Sequence, residues 1–178
     1  MRSFVSAVPL FLPGVLAACA LAAIASKGIG RRLGISPAVA ALVVVSAGTV
    51  VSATLTPTVG SGNESLTTGC DLSRMGLAPL GSYLQVNTAS LNVLLFVPLG
   101  IAVGLVPFAR GGGLLLIGCV AAPFVIELTQ LALPAMGRSC QSGDVVDNLT
   151  GLAVGFVMGL TFQTIVSRFQ PRRDESPS

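Results

Sequence analysis

Five stretches of this chain are nearly unbroken runs of apolar residues, roughly 5–26, 36–56, 89–109, 113–133 and 147–167. Each has the length of about 20 residues that an α-helix needs to cross the hydrocarbon of a bilayer. A buried helix of a soluble core is apolar too, but five such windows with almost no charge argue for lipid. The pattern predicts an all-α membrane protein. One bundle of about five transmembrane helices fills residues 1–168. The tail 169–178, ending PRRDESPS, has no apolar periodicity and is expected to be disordered.

Composition agrees. Hydrophobic residues make up 52% of the 178 and charged residues 10%, against about 25% charged in a soluble domain. Ten basic and seven acidic side chains are too few to coat a soluble surface of this size. The length leaves no room for a separate soluble domain. Aromatic residues are scarce and the basic residues flank apolar runs, which excludes a nucleic-acid partner.

Those basic residues set an expected orientation. Lys27, Arg31, Arg32, Arg110, Arg168, Arg172 and Arg173 fall on one side of a five-span bundle, the first three in the loop after span 1. Arg2, Arg74 and Arg138 fall on the other. The asymmetry places the N-terminus outside and the C-terminus in the cytoplasm of a multi-pass protein, where Arg172 and Arg173 meet anionic headgroups. The first span contains LAAC, the pattern of a lipoprotein cleavage box, at 16–19. Only Arg2 precedes it and the run stays apolar beyond it, so we read a retained helix with Cys19 as a buried thiol.

Two longer polar segments, 57–88 and 134–146, then face outward, and each holds one cysteine, Cys70 and Cys140. Outside the membrane such thiols oxidise if they meet, so a Cys70–Cys140 disulfide is expected, with two free thiols as the rival. Cys119, like Cys19, reads as a packing residue. Four cysteines without histidine make no zinc site, and no cofactor is called for. Asn63-Glu64-Ser65 and Asn148-Leu149-Thr150 match the glycosylation pattern, the second at the membrane edge, where a glycan fits poorly.

Polar residues of three spans gather at the outer boundary. In VIELTQ, residues 125–130, Glu127 interrupts one of the most apolar runs and Gln130 shares its helical face, with Pro123 four residues before it. Glu127 falls about 6 Å past the helix midpoint at about 1.5 Å per residue. An acid near the centre of a span costs about 2.5–3.5 kcal/mol, less toward the edge, and capping does not explain this one. Span 3 opens with Asn92. Span 5 opens with Asp144, Asp147 and Asn148, and Gly151, Gly155 and Gly159 follow at spacing four on the face of Asp144 and Asn148. Asp147 lies on the edge of that face. Glycines at that spacing admit a neighbouring helix, and Gly100 and Gly104 offer a shorter stripe on span 3. Arg138 can reach the same level. The bland alternative for the Asp pair is first-turn capping.

LNVLLFVPLG at 91–100, IELTQ at 126–130 and GRSCQSGDVVDNLTGLAVG at 137–155 together resemble the VanZ-like family of small bacterial membrane proteins, in order and spacing, over roughly 70–165. Spans 1 and 2 add only hydrophobicity to that likeness. The resemblance implies a bacterial cell membrane location and carries the family's polar positions onto Asn92, Glu127, Gln130, Arg138, Asp144, Asp147 and Asn148. It brings a link to low-level teicoplanin resistance and no established reaction.

Three functions fit these residues. The first is a pocket at headgroup level that binds or shields a lipid-linked molecule, such as a cell-wall precursor, or an acylated glycopeptide. Arg138 would pair its phosphate or carboxylate. The second is an enzyme acting on a lipid-linked phosphate or headgroup, with Glu127, Asp144 and Asp147 as Mg²⁺ or Ca²⁺ ligands or one of them as general base. No histidine and no nucleophile with a nearby base supports it. The third is a proton-coupled carrier with Glu127 as relay. Five spans lack an inverted repeat, an objection that a homodimer through the glycine stripes would weaken.

Overall fold

Each helix boundary follows from a local stop or start signal. A computed structural model describes residues 9–58 and 69–169. Helix α1 (Phe11–Leu33) runs on through Lys27, Arg31 and Arg32 until Gly34, which adopts φ +61° and sends its N–H back to the Gly30 carbonyl. Lysine and arginine are good helix formers, so nothing before glycine ends the helix. The three basic residues expected in a loop are therefore helical, and the turn to α2 (Pro37–Thr54) is short. Pro37 follows the cap Ser36, whose Oγ accepts the Val39 N–H at 3.2 Å.

A four-residue helix, α3 (Leu80–Tyr83), precedes α4 (Thr88–Gly104), which opens on a reciprocal capping box between Asn87 and Ser90. Helix α4 stops short of residue 109 because Pro107 excludes the residue before it from helical geometry. Helix α5 (Gly112–Ala132) follows a 3₁₀ turn and a glycine at φ +95°. Helix α6 (Ser142–Phe169) starts earlier than the expected 147, with Asp144 in its first turn. Among the described residues the fold is all-helical, apart from one isolated bridge between Asp71 and Gln141.

Four helices, α1, α2, α5 and α6, are long and apolar enough to span a membrane, and α4 is a shorter apolar helix of 17 residues. At about 1.5 Å per residue α4 covers roughly 25 Å, slightly less than a typical hydrocarbon core. The outer surface is apolar, with Leu21, Ile24, Leu94, Leu114, Leu128 and Phe162 exposed along the helices. Cys19 is on that surface, so it is not the buried thiol expected, whereas Cys119 is buried. The apolar α1 presents a wide lipid-facing surface, and its seam with α2 uses smaller contacts such as Ala18 on Gly48.

Helix α4 packs most extensively on α6 and also meets α2 and α5. The two glycine stripes interlock. Gly100 and Gly104 sit against the α6 backbone at Leu152–Gly155 and Phe156–Gly159, while Gly151, Gly155 and Gly159 sit against the α4 backbone at Val93, Val97 and Ile101. These stripes are buried inside one chain, so a homodimer would need another face. Beside the seam lies a core of Val50, Phe96, Leu99, Val103, Cys119, Ile126 and Leu152.

The bundle has two dissimilar ends. At one, Arg110 donates to the Gly34 carbonyl, with Arg31, Arg32 and Arg168 in nearby last turns. At the other, Cys70 and Cys140 form the expected disulfide, with a Cα–Cα separation of 4.6 Å. The Asp71 N–H donates to the Cys140 carbonyl and the Ser142 N–H to the Asp71 carbonyl, both at 2.9 Å. Arg2, Asn63-Glu64-Ser65, Arg172, Arg173, the tail from 170 and the expected start of span 1 lie outside the described residues.

The disulfide closes a loop of sequence separation 70, for which the chain-entropy account gives about 4 kcal/mol. Cys70→Ser, Cys140→Ser and the double variant should lose the same stability, of that order. A thiol count on the rapidly trapped protein should find two blocked cysteines, with Cys19 and Cys119 reactive after unfolding. Four reactive thiols, or non-equivalent single variants, would contradict the bond.

Candidate functional site

Glu127 occupies the last turns of α5 and is 5% exposed. Its Oε2 accepts the Gln141 backbone N–H at 2.7 Å. That donor belongs to the residue next to Cys140, so the disulfide-tied segment supplies the hydrogen bond that a buried carboxylate needs. One turn on, Gln130 donates through Nε2 to the Thr54 carbonyl at 3.0 Å. The carbonyl is at the end of α2, where helix geometry leaves it without an intrahelical partner.

Arg138 closes the same helix end. Its Nε donates to the Thr56 carbonyl at 3.1 Å and its Nη2 to the Ala53 carbonyl at 2.6 Å. Arginine is favoured there because the end of a helix is electronegative. Burial pulls the Arg138 guanidinium below its ordinary pKa, while Asp144 and Glu127 raise it. Arg138 is thus a helix cap placed within electrostatic reach of two acids, and forms no direct ion pair with either.

A cavity of about 510 Å³ opens between these groups. Asn92 from α4, Glu127 and Gln130 from α5, Arg138, and Asp144 and Asn148 from α6 line its polar part. Six of the seven residues inferred from sequence therefore share one space. Thr54, Thr58 and Thr88, which the sequence does not single out, add hydroxyls. The other wall is apolar, with Phe11, Leu91, Leu94 and Pro98. Leu91, Leu94 and Pro98 are exposed on the outside of the bundle, so the cavity borders the lipid-facing surface.

Two polar atoms in this wall have no hydrogen-bond partner. The Oδ1 of Asn148 is buried and unmet, in a side chain only 1% exposed, and so is the Nδ2 of Asn92. The Asn92 side chain faces Asp144, but its amide nitrogen completes no bond of normal geometry. A buried group left unmet costs about 1–3 kcal/mol, and native structures hold few of them.

Asp147 departs from the expected cluster. Three residues after Asp144 it is rotated off the cavity face, and it is fully buried elsewhere. It accepts from Arg74 Nη1 at 3.0 Å, from Arg74 Nη2, and from the Tyr83 hydroxyl at 2.9 Å. The Asp147 bond raises the Arg74 pKa above its ordinary value. Arg74 and Tyr83 lie in an irregular segment without periodicity, so only the need of a buried acid for a cation pointed to them. Asp147 is thus structural, and neither a first-turn cap nor a cavity residue. Among the described residues no three acid, cysteine or histidine side chains come together as metal ligands. Glu127, Asp144 and Asp147 are therefore not the ligand triad considered above, because Asp147 is turned away and paired.

The fold and cavity define a multi-pass helical membrane protein with a polar pocket at one end of its bundle. The chain belongs to the VanZ-like family, whose model, described as VanZ/LLP1, matches residues 38–163. The match includes α2, which the motif resemblance left out. That helix supplies the carbonyls that hold Gln130 and Arg138. Neither curated proteins nor solved structures yield a match.

Proposed function

We propose that the cavity binds or shields an amphiphile, either a lipid-linked cell-envelope molecule or an acylated glycopeptide, in the outer leaflet. The observation that carries this reading is the two-sided lining. Charged and amide side chains converge on one part, while the exposed Leu91, Leu94 and Pro98 continue the other part into the lipid-facing surface. A polar headgroup would occupy the first and its chain would lie along the second. The basic residues at the opposite end support an outward cavity, as does the disulfide beside it. In a bacterial membrane such a pocket would contribute to low-level resistance to teicoplanin, an acylated glycopeptide.

Glu127→Gln tests this reading. Glutamine keeps an oxygen for the Gln141 N–H and removes the charge, so the fold should hold to within about 1 kcal/mol. Binding of teicoplanin or a lipid-linked precursor should fall at least tenfold, measured on purified protein in micelles. Unchanged binding with collapsed thermal stability would make Glu127 a structural residue and remove the pocket reading.

A further inference from the structure

The groups left unmet in the cavity describe its occupant. Asn148 Oδ1 is a buried acceptor without a donor, and Asn92 Nδ2 is a buried donor that faces the Asp144 carboxylate without completing a bond of normal geometry. Both amides line the cavity beside Asp144 and Glu127. The cation there, Arg138, directs Nε and Nη2 at backbone carbonyls and not at the acids. Two carboxylates against one cation give the lining a negative balance when ionised. The occupant should therefore bring N–H donors and positive charge to Asn148 and Asp144, and an acceptor oxygen to Asn92.

We propose that the pocket recognises a zwitterionic amphiphile with a primary ammonium and an adjacent phosphate or carboxylate. The ammonium sits between Asp144 and Asn148, the anionic oxygen meets Asn92, and the acyl chain follows Leu91 and Leu94. Three features distinguish this from a general lipid site. A quaternary ammonium has the charge but no N–H for Asn148. A phosphoglycerol headgroup is anionic and meets two acids. A soluble zwitterion has no chain for the apolar wall. The inference rests on the pocket reading above and adds the chemical class of the headgroup.

The test uses the full chain purified in a neutral maltoside detergent. Short-chain phosphatidylethanolamine, phosphatidylcholine and phosphatidylglycerol are titrated separately, alongside free phosphoethanolamine, and retention is read by native mass spectrometry and by thermal shift. Phosphatidylethanolamine should bind at least tenfold tighter than the other two lipids, and free phosphoethanolamine at least tenfold weaker than its lipid. Asn148→Leu should bring phosphatidylethanolamine down to the phosphatidylcholine level, and Asp144→Asn, which removes the charge that both cationic headgroups meet, should weaken both lipids. The wild-type headgroup comparison decides even if a variant misfolds. Equal binding of the three lipids, or a preference for phosphatidylglycerol, overturns the headgroup assignment and leaves the amphiphile pocket standing. Equal binding of free phosphoethanolamine and its lipid overturns the role of the chain. If no lipid binds and Glu127→Gln leaves teicoplanin and precursor binding unchanged, both readings fail.

Discussion

Gly155→Leu is expected to remove most of the folded protein from the membrane. A Cβ at 155 would collide with the Val97 carbonyl oxygen and lie 2.9 Å from both the Ile101 nitrogen and the Val97 carbonyl carbon. These obstacles are backbone, so no rotamer change relieves them. Helices α4 and α6 would have to part, and the neighbouring contacts of Gly100, Gly104, Gly151 and Gly159 would open with them. Overpacking in a protein core costs about 1–3 kcal/mol and occasionally more, and a clash with two turns of backbone belongs at or beyond the top of that range. Even Gly155→Ala should destabilise, although alanine in a helix interior ordinarily gains roughly 1 kcal/mol over glycine. Gly118→Leu is the control, because nothing lies within 4 Å of a Cβ there. Size-exclusion profiles after mild extraction should show at least a tenfold drop in monodisperse Gly155→Leu and none for Gly118→Leu. Equal profiles would mean that α4 and α6 are not held through their backbones.

The glycine stripes show which parts of this architecture can be read from one sequence. Glycine at spacing four is a local pattern, and so is an apolar run of membrane length. Both appear in the structure where periodicity put them, Gly100 and Gly104 facing Gly155 and Gly159. The disulfide was legible because two cysteines stood in two polar segments on one side of the spans. The cavity was legible in part, since Glu127 is costly in lipid and its neighbours reach the same depth by helical arithmetic. Helix ends were less legible, because Lys27, Arg31 and Arg32 look like loop residues by charge but continue α1 until Gly34 adopts a left-handed conformation.

Long-range partners lay beyond the reach of sequence. Arg138 was expected to reach the level of the acids, and it lines the cavity with them, but its Nε and Nη2 fill carbonyls at the end of α2. Nothing in a hydropathy pattern says which helix end a loop arginine will meet. Asp147 and Asp144 look equivalent as first-turn acids, yet three helical positions rotate one into the cavity wall and the other onto an irregular segment 73 residues away in the chain. Glycine 143 shows the same limit. A Cβ there would lie 2.6 Å from Arg74 Nη2, so this glycine makes room for a guanidinium that only the folded chain brings near.

Arg74→Met is accordingly expected to cost about 3–5 kcal/mol, the range for breaking a buried ion pair by removing one partner. Asp147 is 0% exposed and Arg74 32% exposed at the side chain. Solvent therefore screens the arginine but cannot reach the carboxylate, and the loss arises chiefly from stranding Asp147. Tyr83 would remain as one donor, at 2.9 Å, and its own oxygen is held by the Ala78 N–H at 3.0 Å. One neutral donor does not replace a guanidinium that meets both carboxylate oxygens. Arg74 also ties the segment after Cys70 to α6, since the Ser142 hydroxyl donates to its carbonyl at 2.8 Å. Methionine preserves that backbone bond and the disulfide, so the variant isolates the side-chain pairing. Adding Asp147→Leu to Arg74→Met should restore at least about half of the loss, because replacing a whole buried pair with apolar groups is often neutral. Unfolding of the four proteins of this cycle in mixed micelles gives the coupling directly. Arg74→Met within about 0.5 kcal/mol of wild type, the range of an ordinary surface substitution, would show that the pair does not hold this end of the bundle. A double variant as unstable as the single one would show instead that the cost comes from packing, with the stranded charge contributing nothing.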